Sequence, residues 1–66
     1  MTKQQLQNNI EAAAQERKSI ADLEKQLATT KDANVKKVLR YRIKICRDFL
    51  RQYIQTAQAI ERTLAV

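Results

Sequence analysis

Six cations are the most chemically suggestive residues of this 66-residue chain. Among Lys36, Lys37, Arg40, Lys44, Arg47 and Arg51, five step by four, four, three and four from Lys36, so a helix stacks them in one ridge. A ridge of that kind can follow a polyanion over about four turns, neutralising phosphates and releasing their counterions. A row of Lys and Arg is also the usual make-up of a solvated helix face. Tyr41 borders the ridge, where a ring could stack on a base.

Arg42 stands apart from these, near the middle of the apolar side of the same stretch. A guanidinium in such a place is costly unless paired. Glu16 and Glu24 are its candidate partners across a hairpin, and a second subunit could also supply a Glu. An interhelical pairing of Arg42 with Glu16 or Glu24 would fix register, a long side chain could instead snorkel to the edge, and an exposed one would be a recognition contact. Cys46 also falls inside the apolar arc and reads as a buried free thiol serving as a small hydrophobe. A nucleophilic role would require a base or an exposed cationic setting.

Catalysis finds little material. The chain has no His for an imidazole base and no Gly for a phosphate-cradling loop, and no metal-ligand spacing occurs. The expectation is a protein that is not an enzyme and carries no catalytic residues, no cofactor and no metal.

These residues need helices to position them, and the pattern supplies two. From Val35 to Leu64 the apolar residues Val35, Val38, Leu39, Ile43, Ile45, Cys46, Phe49, Leu50, Tyr53, Ala57, Ile60 and Leu64 cover roughly 160° of a helical wheel. That is wider than the seam needed to meet one partner helix. Ahead of it, Leu6, Ala13, Ile20 and Leu27 recur every seven residues, with Ile10 and Leu23 beside them, in a coiled-coil stripe that Asn9, Glu16 and Arg17 interrupt or border. Thr2 with Gln5 three residues later forms the pattern of a capping box.

Between the two stretches, residues 28 to 34 place Thr29, Thr30, Asp32 and Asn34 where the stripe should continue. The spacing therefore predicts an all-α antiparallel helical hairpin in a single domain over residues 1–66, with helices at 3–28 and 34–64 and a turn at 29–33. One uninterrupted helix is the alternative that the lack of Gly and Pro permits. In the hairpin, Thr30 or Asp32 caps the second helix and Asn34 is the residue best suited to a left-handed turn conformation. Residues whose numbers sum to roughly 62 should face each other, placing Leu27 at Val35, Leu23 at Leu39, and Ala12-Ala13-Ala14 opposite Phe49 and Leu50.

Composition bounds the function class. Residues 1 to 32 hold five basic and five acidic side chains, whereas residues 33 to 66 hold eight basic and two acidic, so the net charge of +6 belongs to the second half. No apolar run is long enough to cross a bilayer, no leader pattern opens the chain, and the apolar face is poor in aromatics for lying on a membrane surface. With its lone Cys46, the chain reads as a soluble protein of the cytoplasm or another reducing intracellular compartment.

A chain this short buries little surface alone, and oligomerisation is the common remedy. Phe49, Leu50, Tyr53, Ile54, Ile60 and Leu64 are the expected oligomer interface, joining two hairpins into a homodimeric four-helix bundle. In its length, two-helix plan and opening Met1-Thr2-Lys3-Gln4, the chain resembles the small two-helix dimers of the Rop type. That resemblance is architectural, and it implies a dimeric bundle that binds RNA. The residues themselves point to a small regulatory or interaction module that binds a protein partner through a bundle surface. The alternative is a nucleic-acid-binding dimer that uses the basic ridge.

Overall fold

The structure is a computed structural model and describes residues 2–65. It contains two helices, α1 (Lys3–Thr29) and α2 (Ala33–Leu64), packed against each other as a hairpin with extents of 51 × 14 × 11 Å. Each helix runs one residue further toward the turn than the spacing predicts.

The start of α1 is a capping box. Thr2 Oγ1 accepts from the Gln5 amide at 3.1 Å, and the Thr2 amide donates to Gln5 Oε1 at 2.8 Å, so the two residues satisfy each other's polar groups. At the other end the Thr30 amide still bonds Gln26 O at 3.0 Å, but Thr30 itself has left the helix (φ −79°, ψ 144°). Asp32 then caps α2, its Oδ1 accepting from the Asn34 and Val35 amides at 2.8 and 3.2 Å. No residue has a positive φ among those described, so Asn34 does not adopt the left-handed conformation expected of it. It sits inside the first turn of α2. The reversal is made by extended residues at both ends of Thr30-Lys31-Asp32, which is why the chain needs no glycine there.

Inward positions alternate by three and four residues on both helices, the spacing of a coiled-coil seam. On α1 they run Leu6, Asn9, Ala13, Glu16, Ile20, Leu23 and Leu27, and on α2 Leu39, Ile43, Cys46, Leu50, Tyr53, Ala57 and Ile60, all buried or half-buried. Asn9 and Glu16 thus belong to the seam itself. Ile10 lies off it and is exposed. Among the described residues, the buried apolar side chains are Ala13, Leu39, Ile43, Ala57 and Ile60.

The register differs from the expected one. Arg47 Nη2 donates to Glu24 Oε1 at 3.0 Å. With pairs summing to 62, Glu24 would lie level with Val38, nine residues from Arg47 and roughly 13 Å away along the axis at about 1.5 Å per residue. A sum of 66 sets Glu24 level with Arg42, roughly 7.5 Å from Arg47, within reach of two long side chains. It also sets the two inward series level with each other, Leu27 with Leu39, Leu23 with Ile43, Ile20 with Cys46 and Leu6 with Ile60. Val35 is accordingly exposed rather than covered by Leu27, and Phe49 is exposed rather than packed on the alanines, of which Ala13 alone is buried. The physical reason is that a single α1 helix fills only a narrow seam on α2.

Candidate interaction surfaces of the second helix

That narrow seam splits the apolar arc of α2 in two. One part packs on α1. The other is a second series with the same spacing, offset by one residue: Val35, Val38, Arg42, Ile45 and Phe49. Its apolar members are 44%, 55%, 36% and 46% exposed, in that order. Large apolar side chains scattered singly over a surface need no explanation, but these four align on one helix face over about four turns as a continuous exposed stripe. The Phe49 ring leans on Tyr53, with centroids 6.4 Å apart and planes 24° off parallel, so its position is set by a neighbour already half-buried in the seam.

Of the residues expected to form an oligomer interface, Ile60 is 2% exposed and is consumed by the hairpin. Leu50, Tyr53 and Ile54 are half-buried, while Phe49 and Leu64 are exposed. Val35, Val38 and Ile45 are legible in the sequence as apolar but not as a separate face. The signal that separates them is the pair of interleaved series, one of which matches the α1 stripe in length and phase while the other has no counterpart.

Beside the stripe, α1 and α2 bound an open groove of about 510 Å³ whose walls include Asp22 and Leu23 on α1 and Arg42, Ile45 and Cys46 on α2. Arg42 is exposed at its edge. The interhelical ion pair expected of Arg42 goes instead to Arg47, which takes Glu24. Glu16 faces Cys46. Burial pushes the Cys46 thiol up from its ordinary value of 9.0, and the hydrogen bond and negative charge of Glu16 push the same way against the opposing charge of Arg42. The thiol is therefore protonated at neutral pH, which suits a packing role and not a nucleophile.

The basic ridge faces away from the stripe. Lys37, Arg40, Lys44, Arg47 and Arg51 are exposed, and Lys36 is half-buried near the turn. At about 100° per residue the mean directions of ridge and stripe differ by roughly 170°, so α2 carries its two candidate surfaces back to back. Among the described residues, no cluster of three or more His, Cys, Asp or Glu is arranged to hold a metal ion. No helix of the described chain is long and apolar enough to cross a membrane.

Comparison with protein-family models, with curated proteins and with solved structures returns no match to this chain. The likeness to Rop-type dimers accordingly rests on length and plan alone.

Proposed function

We propose that this chain is a small non-enzymatic interaction module that binds a helical protein partner through the outer stripe of α2. The observation that carries this reading is the alignment of Val35, Val38, Ile45 and Phe49 on one face with α1 occupied elsewhere. A second helix laid along that stripe would complete the packing by the helix-on-helix mode that reads residues three and four apart. Asp22 and Arg42 at the border would supply polar specificity around an apolar centre. A lone free cysteine, Cys46, suits an intracellular, reducing setting.

The test is a photo-crosslinking amino acid placed at position 49 or at position 40 in cells making the protein. Adducts with a polypeptide are expected from position 49 and not from position 40, on the opposite face. Adducts from position 40 alone would sink the reading.

A second reading, binding of DNA or RNA by the ridge, is favoured by the exposure of Lys37, Arg40, Lys44, Arg47 and Arg51 along one side. It requires affinity for labelled duplex or structured RNA that falls steeply between low and physiological salt. Charge reversal of Arg40, Arg47 and Arg51 together should remove that affinity while leaving helicity intact.

A further inference from the structure

Resting on the reading of the stripe as a helix-binding surface, we infer that its occupant is the α2 helix of a second copy. The two helices run antiparallel, and each Arg42 enters the groove of the other copy beside Asp22.

The pairing register follows from the spacing of the stripe. In an antiparallel pair with three-four spacing, each position before a gap of three faces a position after one, so the numbers of facing residues share one sum. A sum of 87 sets Val38 against Phe49 of the second copy and Arg42 against Ile45 of the second copy, each contact occurring twice about a two-fold axis. A slide of seven residues one way drives Phe49 off the end of the partner helix, and the same slide the other way leaves Val38 facing Thr56. A sum of 84 would stack the two Arg42 guanidiniums on the axis. A sum of 87 pairs Val38 with Phe49, lays the stem of Arg42 on Ile45 and keeps the two guanidiniums off the axis, leaving Val35 opposite Gln52.

Local charge agrees with that register. The groove that Ile45 lines also carries Asp22, contributed by α1, and that copy's own Arg42. An Arg42 arriving opposite Ile45 of the second copy therefore arrives beside a carboxylate, and the reciprocal contact closes a neutral set of two arginines and two aspartates. The charge of +6 per copy does not oppose this strongly. The ridges point away from the contact, on the order of 20 Å apart across two packed helices, against a screening length of about 8 Å at physiological salt.

The experiment uses two charge-reversed variants, Arg42→Asp and Asp22→Arg, both at exposed positions, examined by sedimentation at micromolar concentration with helicity followed by circular dichroism. Wild type is expected to be dimeric, and each variant alone to lose about tenfold or more in dimer affinity. Their equimolar mixture is expected to recover the dimer. In the mixed pair the carboxylate introduced at position 42 of one chain meets the guanidinium introduced at position 22 of the other, and the unaltered Arg42 and Asp22 meet likewise. Contacts within one chain are mismatched in both variants and cannot produce recovery. A mixture that stays monomeric overturns the inference. So does a monomeric wild type, in which case crosslinks to another polypeptide from position 49 would leave the stripe reading standing and their absence would remove both.

Discussion

Arg47 reaches back from α2 to Glu24 on α1, its Nη2 3.0 Å from the carboxylate Oε1, in an ion pair whose side chains remain 61% and 50% exposed. Water screens a pair this open, so its contribution lies in register more than in strength. Glu24→Gln should lower stability by about 0.5 kcal/mol or less, and the loss should shrink further in high salt. Urea unfolding at two salt concentrations measures this, and a large salt-independent loss would show that the pair carries more of the fold than its exposure allows.

The seam and the stripe should respond differently to truncation. Ile43→Ala removes a side chain 5% exposed and should cost about 2 to 4 kcal/mol of hairpin stability. Val38→Ala, on the stripe, should change the stability of a dilute monomer by about 0.5 kcal/mol or less. Equal losses in the two variants, under conditions where sedimentation shows a single copy, would contradict the division of α2 into two faces.

Asp32 holds two amides of the first turn of α2. Asp32→Ala should destabilise the hairpin by about 1 kcal/mol, and Asp32→Asn, which retains the accepting oxygen, by much less. Thermal unfolding of both variants checks the ordering, and an Asn variant as unstable as the Ala variant would place the effect outside the cap.

The Cys46 thiol has its pKa raised in the fold, so the folded chain holds this proton more tightly than the unfolded chain does. The associated stability is fully present below the ordinary thiol value of 9.0 and is lost as pH rises above it toward the folded value. Cys46→Ala should flatten this part of the stability profile. Alkylation of the native thiol at neutral pH should be slower than that of the unfolded chain, because the fold holds the thiol protonated, and equal rates would contradict the raised pKa.

Much of the fold is legible in the sequence because its determinants are local. The capping box of Thr2 and Gln5, the phase break around Thr29 to Asn34 and the seven-residue recurrence of Leu6, Ala13, Ile20 and Leu27 are all read within a few turns of chain. Register is not local. It depends on how far the helices slide past each other, and a fold-back count centred on the turn places Glu24 level with Val38, short of where Arg47 meets it. The candidate site suffers from the same cause. A wheel shows that α2 has more apolar width than one partner covers, but not which half α1 covers, so it offers Ile60 as free surface and does not set Val38 and Ile45 apart. The ridge needs no such knowledge, because four-residue spacing alone aligns its cations.

The three-residue turn also orders the hairpin in time. Level pairs beside it, such as Leu27 and Leu39, are 12 residues apart in the chain, whereas Leu6 and Ile60 at the open end are 54 apart. Closing the nearer pairs costs less chain entropy, and each closed layer shortens the loop that the next must close. Assembly therefore zips outward from Asp32, and the tips are the last to join and the first to fray. Val35, Val38 and Ile45 lie on the early-forming half, so their face is presented while the far ends are still closing, and amide exchange should be slowest beside the turn-proximal seam.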